Sequence, residues 1–126
     1  MSEFDDQVYV FDWATLMAPT YPELEFLFAT LNGVRLSRGL IGKMARCGCL
    51  VKGVPDIWMP VRRGSCPGLV MELKAARILG KKANYPEPEQ RRFLAHLVAD
   101  GWMALPVWGG EAAVGVLQTY LERPLT

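Results

Sequence analysis

Apolar positions recur with a helical period at the start of the 126-residue chain. Phe4, Val8 and Phe11 follow the spacing i, i+4 and i+7, which is typical of one apolar helix face. Ser2 is a suitable N-cap, and the acidic residues after it suit the positive end of a helix dipole. The pattern predicts a first helix within residues 2–18, which the following prolines end.

Two shorter elements are predicted next. The run LEFLFATL (24–31) is apolar, eight residues long and followed by the turn signal Asn32-Gly33, which favours a buried strand. A helix stays open there, because Leu, Glu and Ala are all good helix formers. The segment SRGLIGKMARC (37–47) predicts a short helix, with Gly48 just past its end.

Residues 53–74, GVPDIWMPVRRGSCPGLVMELK, predict two short strands joined by a tight turn that contains glycine and proline. Side chains alternate along a strand, so Glu72 and Lys74 share one face and Leu73 lies on the other. If the two strands pair as a hairpin, Asp56 at the start of the first strand lies beside them.

The last third of the chain predicts a helix, a strand and a helix. Pro88 can begin the helix PEQRRFLAHLVAD, whose buried stripe would be Phe93, Leu94, Leu97 and Val98. WMALPVW (102–108) predicts a strand, and residues 111–120 predict the final helix. The order α-β-α-β-β-α-β-α predicts an α/β fold with one mixed β-sheet flanked by helices.

The composition limits the possible classes of protein but does not identify a function. Residues 1–126 are expected to form a single globular domain, and a net charge of +1 means that any binding of phosphate must come from local clusters of cations. Cys47, Cys49 and Cys66, with one distant histidine, do not have zinc-site spacing and are expected to be reduced thiols. No apolar run approaches the roughly 20 residues of a membrane span and no leader is visible, so we expect a cytoplasmic protein without a membrane partner.

The charged residues of the predicted hairpin fit hydrolysis of a phosphodiester. Asp56 and Glu72 are hard oxygen ligands suited to Mg²⁺, and the backbone carbonyl of Leu73 lies between Glu72 and Lys74. Lys74 could stabilise developing negative charge, or orient and deprotonate the attacking water. An Asp followed by a Glu-x-Lys also arises by chance, so its apolar context matters: Glu72 is the first charge after a buried run.

GVPDI (53–57), MELK (71–74) and Gln90 in the next helix together resemble the VRR-NUC domain of the PD-(D/E)xK nuclease superfamily, in its small stand-alone phage or bacterial form. Glu3 with Gln7, the Asn32-Gly33 turn and the Gly101-Trp102 step add to the resemblance, which covers nearly the whole chain. It implies a restriction-endonuclease-like fold, in agreement with the predicted order of elements.

The resemblance also implies roles. Asp56 and Glu72 match the ligands of Mg²⁺ or Mn²⁺, Lys74 matches the catalytic lysine, and Gln90 matches a glutamine that abuts the site. Glu3 matches the acidic residue of the first helix that completes the metal site, although Glu23 and Glu25 are other acidic candidates. Small members of the family are homodimers that cut four-way (Holliday) DNA junctions, and larger relatives act on flaps.

Cations near the proposed site are expected to bind DNA: Arg62, Arg63, Arg77, Lys81, Lys82, Arg91 and Arg92. No base-reading motif is visible, so recognition of DNA shape is the better expectation. The prediction is therefore a metal-dependent endonuclease, dimeric and specific for junctions. The alternatives are a non-catalytic module for junction binding or assembly, or a nuclease that prefers flaps, linear DNA or RNA.

Overall fold

The computed structural model describes residues 2–31 and 35–126, and the predicted Asn32-Gly33 turn lies outside them. In chain order, its elements are α1 (Glu3–Met17), a 3₁₀ helix (Pro22–Phe26), β1 (Phe28–Ala29), α2 (Arg38–Arg46), β2 (Ile57–Met59), β3 (Leu69–Lys74), α3 (Pro88–Ala99), β4 (Met103–Trp108) and α4 (Gly110–Leu121). Within these two ranges, no helix is long and apolar enough to cross a membrane.

The four strands form one mixed sheet in the order β1-β2-β3-β4. β2 pairs antiparallel with both β1 and β3, whereas β3 pairs with β4 in parallel, with α3 as the crossover. The mixed sheet and the predicted order of helices and strands are confirmed. The β2–β3 connection, residues 60–68, is longer than the predicted tight turn and contains a bridge between Arg63 and Cys66.

β3 is buried along its whole length and separates two hydrophobic clusters. Leu69, Met71 and Leu73 belong to the main core, which also contains residues of α1 and α4. Val70 belongs to a smaller cluster with Leu94 and Leu97 of α3. Because side chains alternate along a strand, Glu72 and Lys74 follow Val70 onto the α3 face of the sheet.

The predicted apolar face of α1 is wrong for two of its three residues. Phe4 is 73% exposed and Val8 is 43% exposed, and only Phe11 packs against the core. The face that is buried carries Asp6, Val10 and Ala14. A carboxylate lies on this face because it meets the N-terminus of α4, where Asp6 Oδ1 accepts a hydrogen bond from the Gly110 N–H at 3.1 Å.

The sequence predicts that the segment LEFLFATL is a buried strand. Leu24 and Leu27 are buried, but within the segment only Phe28 and Ala29 form a strand. Pro22 begins a 3₁₀ helix that takes up the first part of the segment, since a proline suits the first turn of a helix.

The predicted stripe of α3 is correct for Phe93, Leu94 and Leu97, but Val98 is 53% exposed. At about 100° per residue, the inward direction is centred between Phe93 and Leu94 and includes Gln90, which leaves Val98 at the margin.

The N-terminal caps follow the sequence. Ser2 and Asp5 form a capping box at the start of α1, and the Ser37 hydroxyl accepts from the Leu40 N–H at 3.3 Å to begin α2. α2 ends at Cys47, and Gly48 follows with φ of +83°, in the left-handed region that favours glycine at this position. The predicted short helix is confirmed.

Candidate active site

Asp56 is held at the point where the chain enters β2. Its backbone carbonyl accepts from the Thr30 N–H at 2.8 Å, which ties it to the segment after β1. Its Oδ2 accepts from the Leu73 N–H at 2.8 Å, beyond the last β2–β3 pair, Ile57 with Met71. The Asp56 side chain therefore extends the β2–β3 ladder by one hydrogen bond and lies beside the end of β3.

Glu72 and Lys74 come from the end of β3 and are almost fully buried, with exposures of 2% and 7%. Lys74 Nζ lies 3.9 Å from Glu72 Oε1. Ionisable side chains are rarely buried to this extent unless they are paired or hold a ligand. The sequence prediction that both lie on one face, opposite Leu73, is confirmed.

Gln90 joins the two charged groups from the first turn of α3. Its Oε1 accepts from Lys74 Nζ at 3.0 Å and from the Glu87 N–H at 2.7 Å, and its Nε2 donates to Glu72 Oε1 at 2.8 Å. Two donors on one side and a carboxylate on the other fix the orientation of the amide. Gln90 is thus both the N3 residue of the capping box of α3, in which Glu87 is the N-cap, and the bridge between Glu72 and Lys74.

Gly53 allows the loop before Asp56 to contact the start of α3. Its φ is +92°, and a methyl group on its Cα would lie 2.6 Å from the Glu89 carbonyl oxygen. Only glycine fits this contact, because any side chain would clash with backbone and would also be strained at that φ.

Two carboxyl groups of the site have raised pKa values. Burial, and then the charge of Asp56, raise the pKa of Glu72 to about 8, although Lys74 acts in the opposite direction. Burial also raises the pKa of Asp56, while the hydrogen bond from the Leu73 N–H opposes that shift. Glu72 Oε2 is buried and accepts no hydrogen bond from any residue in the ranges 2–31 and 35–126. The site therefore presents a carboxylate oxygen that a proton or a cation would satisfy.

These side chains open onto a cleft of about 480 Å³, whose walls include Glu3, Ile41, Gly53, Val54 and Leu50. A second cavity of about 450 Å³ shares Glu3, Asp56 and Leu73 with the cleft. Glu3 is therefore placed at the site, and its charge contributes to the raised pKa of Glu72. Neither Glu23 nor Glu25 lines the two cavities.

A hard divalent cation fits Asp56 and Glu72 in donor chemistry, since carboxylate oxygens are the ligands that Mg²⁺ takes, and Glu72 has an unused oxygen. Among residues 2–31 and 35–126, no three His, Cys, Asp or Glu side chains are close enough together to hold one ion. Glu3 thus borders the cleft without forming a three-carboxylate group with Asp56 and Glu72.

Six of the seven cations predicted to bind DNA are exposed: Arg62, Arg77, Lys81, Lys82, Arg91 and Arg92. The Arg77 guanidinium lies over the rings of Trp108, at 4.4 Å, and Tyr85, at 5.7 Å, so it is held close to the end of β4. Arg91 Nη1 donates to the Pro86 carbonyl at 2.6 Å beside Gln90.

The surface role predicted for Arg63 does not agree with its position. Its side chain is buried, forms an ion pair with Glu23 and donates to the Leu121 carbonyl from Nε and Nη2, both at 3.3 Å. These bonds link the β2–β3 connection to the end of α4. Arg62 next to it is exposed, and we leave Arg63 out of the proposed DNA surface.

Sequence reasoning missed several residues that line the two cavities. Arg35 lines the second cavity together with Asp56. Leu36, just before α2, and Ile41 within α2 line the cleft. Lys52 also lines the cleft and pairs with Glu89 at 3.4 Å. The available signal was position, because only five residues separate the cationic segment SRGLIGKMARC (37–47) from GVPDI (53–57).

A mixed four-stranded sheet with flanking helices, which presents Asp56 and the Glu72–Lys74 pair at the end of its hairpin, defines a restriction-endonuclease-like fold. The structure is similar to a solved structure described as "VRR_NUC domain protein", with a TM-score of 0.73 and 23% sequence identity, over 98% of this chain and 91% of that chain. The chain therefore has the fold of a VRR-NUC domain. No protein-family model matches the sequence, and no curated protein matches it significantly.

Proposed function

We propose that the protein is a metal-dependent DNA endonuclease that hydrolyses phosphodiester bonds in the cleft beside Asp56. One observation carries the proposal: Glu72, Lys74 and Gln90 form one hydrogen-bonded group, and Asp56 is held beside them by its bond to the Leu73 N–H. The proposal is supported by the fold that the chain shares with the structure described as "VRR_NUC domain protein". Glu72, whose Oε2 has no hydrogen-bond partner among the described residues, lines the cleft in which a cation could be held.

Mg²⁺ or Mn²⁺ would be held by Asp56 and Glu72, with the backbone carbonyl of Leu73 and with Glu3 at the border of the cleft. When bound, such an ion neutralises phosphate charge and lowers the pKa of a coordinated water. The raised pKa of Glu72 agrees with this assignment, because a nearby cation is the natural counter-charge for two buried carboxylates.

Lys74 and Gln90 would act on the phosphate and on the geometry of the site. The Lys74 ammonium is buried beside the carboxylates, where a positive charge stabilises a phosphate that gains negative charge. Gln90 holds Lys74 and Glu72 at the same time, so it is a positioning residue for both. Its own position is fixed by the Glu87 N–H at the start of α3.

For the substrate, we propose branched DNA, and four-way junctions in particular, cut by a homodimer. The support is the resemblance of the sequence to small VRR-NUC domains, together with symmetry: a four-way junction has near two-fold symmetry, and an isologous dimer presents two identical sites to it. The exposed cations around the site would bind the DNA backbone without reading bases.

The first experiment offers the purified protein a four-way junction, a flap, a linear duplex and a matched RNA, each with Mg²⁺, Mn²⁺ or EDTA. We expect cleavage of branched DNA with either metal and none with EDTA. Junction binding without cleavage under any metal would establish the non-catalytic alternative. Cleavage of RNA or linear DNA at an equal rate would refute the preference for junctions. Protein that neither cuts nor binds any of the four would refute the proposal.

Two substitutions test the chemistry of the site. Glu72→Gln and Lys74→Met should each lower the cleavage rate by about 10²–10³-fold, because the first removes a proposed ligand of the metal ion and the second removes the positive charge that stabilises the phosphate as it gains negative charge. Junction affinity and the circular dichroism spectrum should stay close to those of the wild type. Asp100→Asn, at the opposite end of α3 and exposed, is the matched control and should cut normally. If Glu72→Gln cuts like the control, Glu72 is not a catalytic residue.

The dimer is tested separately by sedimentation equilibrium of the free protein. The expected mass is twice the chain mass of 14.1 kDa. A monomer that still cuts junctions would refute the symmetric arrangement and leave the nuclease itself in place.

A further inference from the structure

Two thiols lie in contact at the end of α2. Cys47 is the C-terminal capping residue of the helix, Cys49 follows two residues later, and their Sγ atoms are 3.2 Å apart. Both side chains are exposed. The turn that joins them is well defined: Gly48 has φ of +83°, and the Cys49 N–H donates to the Met44 carbonyl at 2.8 Å.

We propose that Cys47 and Cys49 are a redox-active dithiol, which closes to a disulfide by exchange with low-molecular-weight disulfides and thereby alters the wall of the cleft. The disulfide itself does not depend on the proposed nuclease activity. The wall is the next segment of the chain, since Leu50 and Val54 line the cleft and Gly53 between them contacts α3.

Closure requires only a local movement. A disulfide has an S–S distance of about 2.05 Å, so the two sulfur atoms must approach by roughly 1 Å. α2 has no buried residue, and therefore the helix end and its turn can adjust without disturbing the core. Unlike the two exposed cysteines, Cys66 is partly buried. It lies in the β2–β3 connection and donates to the Gly68 carbonyl at 3.3 Å.

The charges near the pair favour an anionic oxidant. Lys43 and Arg46 lie in the last turn of α2, directly before Cys47. Their positive charges attract an anionic reagent to this end of the helix. Glutathione disulfide carries a net negative charge, and it is the probe with the appropriate chemistry.

The exchange proceeds in two steps that balance. One Cys thiolate attacks a sulfur of glutathione disulfide, which forms a mixed disulfide and releases one glutathione thiolate. The other Cys thiolate attacks the protein sulfur of that mixed disulfide, which forms the Cys47–Cys49 bond and releases the second glutathione. The two cysteines lose two electrons, glutathione disulfide gains them, and the two thiol protons end on the released glutathiones.

The test equilibrates the full-length protein in buffers of reduced and oxidised glutathione, blocks free thiols by alkylation, and locates them by mass spectrometry. Folded wild type and Cys66→Ser should form the Cys47–Cys49 disulfide at an oxidant ratio about tenfold lower than the same chains in urea, since the folded turn holds the sulfurs together. Cys47→Ser and Cys49→Ser should form only mixed disulfides. An equal ratio for folded and unfolded protein, or a persistent mixed disulfide in the wild type, would overturn the proposal.

The effect on the cleft is read by amide hydrogen exchange, which does not require cleavage activity. Oxidation of the wild type and of Cys66→Ser should change the exchange rates of the peptide that covers residues 50–54, and Cys47→Ser/Cys49→Ser should show no change. Complete disulfide formation with unchanged exchange there would overturn the link to the cleft. Because neither measurement uses nucleic acid, their outcome is independent of whether the protein proves to be a nuclease.

Discussion

The Glu72 carboxyl has too few partners for a group that is 2% exposed. One oxygen accepts from Gln90 and the other has no hydrogen-bond partner within the part of the chain that the structure describes, while Asp56 adds a second negative charge nearby. Lys74 at 3.9 Å compensates only in part, since the pKa of Glu72 remains raised to about 8. The group is suited to exchange a proton for a cation.

This imbalance predicts how stability depends on pH in the absence of metal. The folded protein holds the Glu72 proton more tightly than the unfolded chain, so the free energy of unfolding is highest below the ordinary pKa of 4.5 and falls as pH rises to about 8. The raised pKa of Asp56 acts in the same direction. Urea denaturation in EDTA across this range measures the slope. Glu72→Gln should flatten it, and Mg²⁺ should restore stability at the alkaline end. A flat wild-type profile would contradict the assignment.

Gln90→Glu separates the role of Gln90 as a hydrogen-bond acceptor from its role as a donor to Glu72. The substitution keeps an acceptor for the Glu87 N–H and for Lys74 Nζ, but replaces the donor to Glu72 with a second carboxylate oxygen. We expect a loss of about 1–3 kcal/mol in the free energy of unfolding above the pKa of Glu72, because a buried acceptor loses its partner. Below that pKa the loss should shrink, since a protonated Glu72 can donate. Urea denaturation at both ends of the range measures this, and an equal loss at both would contradict it.

Between elements, the clearest polar contact is the one from α1 to the start of α4. Asp6 is fully buried, its Oδ1 accepts from the Gly110 N–H, and its second oxygen has no partner in the described chain. A carboxylate at a helix N-terminus is stabilised by the helix dipole. Gly110 permits the close approach, because a methyl group there would lie 2.8 Å from Tyr9 Cδ1.

Asp6→Ala should therefore lower the free energy of unfolding by about 1–2 kcal/mol, as loss of a helix cap does. Asp12→Ala on the same helix is the matched control: Asp12 is exposed, and its loss should change stability by less than about 0.5 kcal/mol. Urea denaturation curves of the two variants measure the difference. Equal midpoints would mean that the contact between α1 and α4 does not need the carboxylate.

The elements that the sequence predicted well are those with local signals. Ser2, Ser37 and Gly48 mark helix ends through hydrogen bonds or backbone angles within a few residues, and the structure agrees with them. The shortened strand in LEFLFATL has a local cause, the 3₁₀ helix that begins at Pro22, whereas the failure in α1 is non-local. The inward face of α1 is decided by its contact with α4, about 100 residues away, so no period in the sequence could show that Asp6 and not Phe4 is buried.

In the site, too, the residues placed by local patterns were predictable and those placed by distant contacts were not. The Glu72–Lys74 face follows from strand alternation, and the proximity of Asp56 follows from a hairpin, so both were predictable. Arg63 was not, because its partners Glu23 and the Leu121 carbonyl lie 40 and 58 positions away in the sequence. The contact of Gly53 with Glu89 likewise depends on the packing of α3 against the entry loop.

For the whole molecule, the sheet separates a scaffold side from a reactive side. α1 and α4 cover the main core, whereas Glu72, Lys74 and the first turn of α3 form the site on the other face. The net charge is only +1, so the proposed attraction to DNA would have to come from the cations near this face. Arg77 near Trp108, and Lys81 and Lys82 beyond it, are the exposed cations that follow β3 in sequence.

A salt titration tests that placement. The double variant Lys81→Ala/Lys82→Ala should make the slope of log affinity against log salt concentration shallower by about 2, since each lysine that neutralises a phosphate contributes about 0.9. Arg123→Ala is the matched control: its guanidinium contacts Met103, at the opposite end of β4 from Trp108. Fluorescence anisotropy with a labelled junction measures both slopes. An unchanged slope in the double variant would exclude these two lysines from the DNA surface.

The contact of Gly53 with Glu89 has a mechanical consequence. The two backbones lie so close that no side chain fits between them, so the entry loop cannot move closer to the first turn of α3 without a backbone clash. Three residues after Gly53 the loop carries Asp56, and one residue after Glu89 the helix carries Gln90. The contact therefore sets a lower limit on the distance between the segment that carries a proposed metal ligand and the turn that carries the bridge between Glu72 and Lys74.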